Sequence, residues 1–155
     1  MMLLELSTAC SILETMQSEM QKIMAEVGVE GMNWTPPLKE VNSLYAIATH
    51  TTASQLWWIQ ENLHGQKVER DRISEFTASD QNLERVNTSI KEGQALTRQI
   101  LEAIKPEDLQ KLREVKGKSY TVEWIVLHVI EHTATHLGHM QLTKQMWEQL
   151  SEGKS

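Results

Sequence analysis

The chain has 155 residues, 40% of them hydrophobic and 23% charged, with a formal net charge of -6. That length fits one domain, residues 1–155, able to bury roughly 68–70% of its unfolded surface in a single core, and acidic residues spread along a chain with no basic stripe exclude nucleic acid as the expected partner. No apolar run reaches the roughly 20 residues that cross a bilayer, and the opening MMLLELSTACS lacks the basic start and long apolar centre of a signal peptide, so a cytoplasmic protein without membrane contact is expected.

Seven glycines and three prolines leave few places to break long elements. Leu6, Cys10, Leu13, Met16, Met20, Ile23 and Val27 recur at three- and four-residue steps, which predicts a helix from about Leu3 to Val27 with one buried stripe. Cys10 lies on that stripe; as the lone cysteine it can form neither an intramolecular disulfide nor a thiolate metal framework, and a small core residue is expected. Gly28, Gly31, Pro36 and Pro37 then mark a turn, and a second helix is predicted from about Leu38 to Leu63.

Residues 64–79 carry neither helical period nor strand alternation, so a connection that crosses the bundle or covers a site is expected there. Asp80 is the expected cap of a third helix, with Leu83, Val86, Ile90, Gly93, Thr97, Ile100 and Ile104 on one face. Pro106 and the polar run from Glu107 to Lys118 predict a short helical turn and a loop. The last helix is predicted from Thr121 to about Leu150, capped by Ser119 or Thr121, with Ile125, Val129, Met140 and Trp147 inside. No strand is expected. Four amphipathic helices bury their stripes most simply against one another, so the fold class is all-α, a four-helix bundle.

The last predicted helix reads HVIEHTATHLGH, with His128, His132, His136 and His139 inside twelve residues. His132 and His136, four apart, point about 40° from each other and are separated by roughly 6 Å along the axis, a span from which two imidazoles reach one metal ion. Both lie on the stripe that must pack inward, where unpaired imidazoles are costly. A single such histidine is more often hydrogen-bonded than metal-bound, but His50, on helix two among the small residues Ala46, Ala53 and Ser54, offers a third ring. His128, one turn before His132, is expected as a hydrogen-bond partner or helix contact. His139 is expected at the rim, Trp57 as a pocket wall and His64 in solvent.

HVIEHTATHLGHMQL resembles the last-helix motif of the DinB family of metal-binding helical bundles, over essentially the whole chain. The resemblance puts the family's His-x-x-x-His pair on His132 and His136, its following glycine on Gly138 and its second-helix ligand on His50, ahead of Trp57 and Trp58. The family commonly has glutamine where this chain has His139 and a basic residue where it has Leu137. Two other motifs compete. His128, Glu131 and His132 match H-x-x-E-H, but that pattern leaves His50 and His136 without a role; a di-iron site needs paired Glu-x-x-His motifs, and only Glu61 to His64 has that spacing.

Three neutral imidazoles suit a divalent ion, zinc or nickel first and iron or manganese next, with positions left open for water or substrate. An ion so held can activate water or a thiol, for hydrolysis or thiol transfer; the family resemblance implies transfer of a low-molecular-weight thiol to a small electrophile, alongside thiol-dependent isomerisation. The expected function is therefore a metal-dependent, thiol S-transferase-like enzyme with a small-molecule substrate. The alternative is a non-catalytic metal-binding or stress-response bundle acting as an interaction protein. Helix faces left apolar after bundling make a homodimer an expectation of either reading.

Overall fold

A computed structural model describes residues 2–152. Four long helices form the body: α1 (Leu4–Asn33), α2 (Leu44–Leu56), α4 (Glu84–Glu102) and α5 (Val122–Glu152), with a five-residue α3 (Arg72–Phe76) between α2 and α4. Helix α1 packs against α5, α4 and α2, and α2 also lies against α4 and α5. The chain is therefore an all-α bundle, and none of its described helices is long and apolar enough to cross a membrane.

Gly28 adopts φ 68, ψ -174 inside α1, so the helix breaks there and resumes for one further turn. The positive φ is what selects glycine at that break. The second helix begins at Leu44 rather than at Leu38: Glu40 takes a left-handed φ of 59, and the Ser43 hydroxyl accepts the Ala46 N–H at 3.2 Å as the helix cap. Asp80 does not cap α4. Its carboxylate instead accepts the Gln81 N–H and the Tyr45 hydroxyl, and α4 begins at Glu84, whose N–H donates to Asn82 Oδ1; Ile104 lies beyond the helix end.

Between α4 and α5, Pro106–Asp108 forms a 3-10 turn and is followed by an antiparallel hairpin of β1 (Leu112–Val115) and β2 (Lys118–Thr121). The sequence predicted a loop there and no strand. Lys116 and Gly117 at its tip have φ 50 and 78, the pair of positive values that a two-residue hairpin turn requires. Thr121 caps α5 by accepting the Trp124 N–H, whereas Ser119 lies within β2.

Two apolar clusters fill the bundle. One gathers Cys10, Leu13, Leu101, Ile125 and Val129 at one end; the other gathers Met20, Met24, Leu44, Ile90 and Met140 at the opposite end. Between them runs a polar layer. Gln17 of α1 donates to Gln55 Oε1 at 2.6 Å, and Gln55 in turn donates to Thr97 Oγ1 of α4 at 2.8 Å, all three buried. His50 of α2 and His132 and His136 of α5 lie at this level, between the residues that feed the two clusters.

Candidate metal centre

One ring nitrogen from each of His50, His132 and His136 lies within 4.8 Å of the other two, so the three side chains could hold a single metal ion. Ring centroids are 5.3 Å apart for His50 and His132, 5.0 Å for His50 and His136, and 4.5 Å for His132 and His136. His50 is buried, whereas the two α5 rings are half-buried because they border cavities as well as core.

Three imidazoles this close cannot all be protonated. Burial, reinforced by repulsion from His136 and His50, lowers the His132 pKa to about 3. Burial, with His50 and His139 adding to it, lowers that of His136 to about 4. Burial also lowers that of His50, against the pull of its carboxylate partner. The rings are therefore neutral at pH 7, the state in which imidazole is a metal ligand. His136 Nδ1 is buried with no hydrogen-bond partner among the described residues, a costly arrangement that an ion reaching it could relieve. The donor set and its unpaired atom fit a divalent cation.

The connection over residues 64–79 supplies what the sequence did not reveal. Glu75, 4% exposed, accepts from His50 Nδ1 at 2.8 Å and from Arg70 Nε at 2.6 Å and Nη2 at 3.0 Å. Burial pushes the Glu75 pKa up, but the hydrogen bonds from Arg70 and His50 outweigh it and hold the carboxyl below its usual range. A carboxylate can only accept, so Nδ1 of His50 carries the proton and Nε2 keeps its lone pair, the arrangement in which an outer carboxylate orients a metal-binding histidine. Phe76 stacks on the same ring, with centroids 4.4 Å apart and an interplanar angle of 28°. The expected cover is thus a clamp on His50.

His128 stands outside the trio, with its centroid 6.1 Å from that of His132. It stacks on Trp124 at 4.7 Å, meets the edge of Trp58 at 4.8 Å and has Nδ1 3.3 Å from Glu131. Aromatic packing therefore fixes it in a wall of the site. His139 is exposed, 5.6 Å from His136 between centroids, and His64 is exposed. Trp57 and Trp58 both line a cavity beside His50 and His132. Both sit at the start of a wider, π-helical continuation of α2, Trp57–Leu63, in which the His64 N–H bonds back to Ile59 O. Such wide turns are frequent where a helix serves a site.

A cavity of about 350 Å³ opens on His50 and His132, walled by Trp57, Trp58, Tyr120 and His128 and reached by Arg70, Arg72, Lys116 and Lys118. On the other side, a smaller cavity of about 160 Å³ meets His136 and His139 among Leu38, Val41, Leu142 and Met146. The centre is therefore approached from two directions, one cationic and aromatic, the other largely apolar. The first volume lies in the range of small-molecule pockets.

Comparison with solved structures finds a conserved protein from Enterococcus faecalis with a TM-score of 0.70 at 15% identity, over 90% of this chain and 94% of that one. A likeness at that identity establishes the shared fold and nothing of activity. No curated protein matches. A family model described as Mycothiol-S-transferase matches residues 12–149, a span that includes all three clustered histidines, Glu75 and both walls of the larger cavity, and the chain accordingly belongs to the mycothiol S-transferase family of DinB-like proteins.

Proposed function

We propose that this protein is a metal-dependent thiol S-transferase in which His50, His132 and His136 hold one divalent ion, zinc or nickel first. The observation that carries the reading is the convergence of three neutral imidazoles, one nitrogen of each within 4.8 Å of the other two, with a buried His136 nitrogen that has no hydrogen-bond partner among the described residues. Three protein ligands leave coordination positions for a substrate. When bound, the ion would supply Lewis acidity that favours the deprotonated, nucleophilic form of a low-molecular-weight thiol at neutral pH.

The residues of the chain do the remainder. Glu75 holds His50 in one tautomer, and Phe76 fixes the plane of its ring. Trp57 and Trp58 present apolar surface beside His50 and His132 and reduce the water that competes with the thiol. Mycothiol, from the name of the family, is the first thiol to offer, with a fluorogenic haloalkyl compound as the electrophile.

The test begins with elemental analysis of untagged protein and melting before and after chelation, because a ligand that binds only the native state raises stability by mass action. Near-stoichiometric metal, a melting shift on chelation and thiol conjugation that needs both metal and His50 are expected. His50→Ala with unchanged metal content would overturn the three-histidine assignment. Metal retained without conjugation of any thiol would support the non-catalytic binding bundle instead.

A further inference from the structure

A third cavity, of about 430 Å³, lies away from the histidine cluster and is lined by neither a histidine nor a carboxylate. Helix α2 forms one wall with Tyr45, Thr49, Thr52 and Leu56. The stretch around α3 forms a second with Ser74, Thr77 and Ser79, and α4 a third with Arg85, Val86 and Ser89. At about 100° per residue, the α2 wall is centred roughly a third of a turn round that helix from His50. On α3 the division falls between neighbouring residues: Glu75 and Phe76 hold His50, while Ser74 and Thr77 line the cavity. No residue lines both this cavity and either of the two at the cluster.

Seven of the twelve lining residues carry a hydroxyl, and five of those hydroxyls have already used their proton. Thr49 donates to Tyr45 O at 2.9 Å, Thr52 to Ala48 O at 2.9 Å and Ser74 to Asp71 O at 2.9 Å. Thr77 donates to Ser74 O at 3.3 Å, and the Tyr45 hydroxyl to Asp80 Oδ2 at 3.2 Å. A hydroxyl has one proton and two lone pairs, so these five oxygens are left as acceptors. The exposed side chains of Ser79, Arg85 and Ser89 form no hydrogen bond with another described residue and supply the donors.

This inventory selects a class of ligand. A simple anion would meet one guanidinium and five oxygens that can only accept, and a cation would meet no carboxylate. The walls match a neutral molecule that both donates and accepts, with an apolar face for Ala53, Leu56 and Val86. An amide or a nucleobase concentrates its donors on one edge, whereas here the acceptors stand on two elements and the free donors on a third and on the loop. A ring polyol distributes its hydroxyls round its perimeter in the same way. We propose that this cavity is a second ligand site, separate from the histidine cluster, for an uncharged polyhydroxylated ring of monosaccharide size. Its volume lies in the range of small-molecule sites. The proposal requires neither a metal ion nor the thiol-transfer reading.

The test is titration of the full, ¹⁵N-labelled chain, as purified, with glucose, cyclohexanol and glucose 6-phosphate, followed by amide chemical shifts. Saturable shifts with glucose are expected on residues 45–56, 74–79 and 85–89, with a Kd of about 1–10 mM for a ligand of this size. Cyclohexanol keeps the ring but one hydroxyl, and should bind at least about tenfold more weakly because the wall oxygens stay unpaired. Glucose 6-phosphate should bind no more than about threefold tighter than glucose, since a single exposed guanidinium attracts its charge. Ser79→Leu combined with Ser89→Leu removes two donors and narrows the cavity from two exposed positions, where the fold is retained, and a loss of at least about tenfold for glucose is expected. No saturation by about 100 mM glucose would overturn the proposal. So would cyclohexanol binding as tightly as glucose, a tighter preference for the phosphate than stated, undiminished binding by the double variant, or the largest shifts on α5 around His132 and His136.

Discussion

Glu75→Gln is the most informative single change, because it alters one atom of a buried group that touches no substrate. The carboxylate accepts one hydrogen bond from His50 and two from Arg70, all between 2.6 and 3.0 Å. In the amide, one of those oxygens becomes a donor and faces either Nδ1–H or the guanidinium, donor against donor. Arg70, with its side chain 16% exposed, also loses its ionic partner. Breaking a buried pair from one side costs about 3–5 kcal/mol, and partial exposure of Arg70 places this case at the lower end. A loss of about 3 kcal/mol corresponds to a fall of about 6–12 °C in Tm for a protein of this size. A stability loss alone would say only that Glu75 is buried. The decisive quantity is metal affinity, because an outer carboxylate that orients a ligating histidine is worth about 10–100-fold. Competition with a chromophoric chelator measures it directly, on variant protein kept well below its melting temperature. An affinity within twofold of the parent, alongside the stability loss, would refute the role assigned to Glu75 in positioning His50.

Gly31 and Gly138 are expected to respond oppositely to alanine. At Gly31 a Cβ would sit 2.6 Å from Trp147 Nε1, so about 1–3 kcal/mol should be lost; at Gly138 it meets nothing within 4 Å, and Tm should rise by about 2–4 °C from a helix-propensity gain of about 1 kcal/mol. Metal-free protein should lose stability as pH falls from about 6.5 toward 4. His132 and His136 have folded pKa values of about 3 and 4, so the unfolded chain binds more protons over that window, and the slope is about 1.4 kcal/mol per pH unit for each ring; a His132→Gln, His136→Gln variant with an equally steep melting profile would sink this account. Cys10, 2% exposed and with its thiol pKa raised by burial, should resist a thiol reagent in the native protein and react at once in denaturant; rapid native labelling would place a competing nucleophile in the molecule.

The histidine cluster was legible because both its residue type and its spacing are unusual: HVIEHTATHLGH places rings at helical intervals on an inward stripe, and His50 lies among small neighbours on another helix. Sequence reasoning ran out where partners are remote or patterns short. Glu75 is one of several acids in a stretch without period, and only the fold brings it to a histidine 25 residues away. The hairpin escaped because each strand has four residues, several of them charged, and its turn is Lys-Gly rather than the stronger Asn-Gly. Leu38 to Val41 follows two prolines and looks helical by composition, yet the left-handed Glu40 ends any such run and Ser43 provides the real start. Asp80 illustrates the opposite error: an excellent capping residue is employed instead by Tyr45 in tertiary contact.

A helix of five residues cannot sustain itself in water, and α3 is that short. Its cap is Asp71, and the imidazole it serves helps to hold it: Glu75 grips one edge of the His50 ring while Phe76 covers its face. The wall carrying Arg70 and Arg72 is therefore docked through the same ring whose nitrogen belongs to the histidine cluster. Cavity wall and histidine cluster are not separable modules in such a design. A change that rotates one imidazole reshapes the entrance, and a molecule that presses on the entrance is felt at the imidazole.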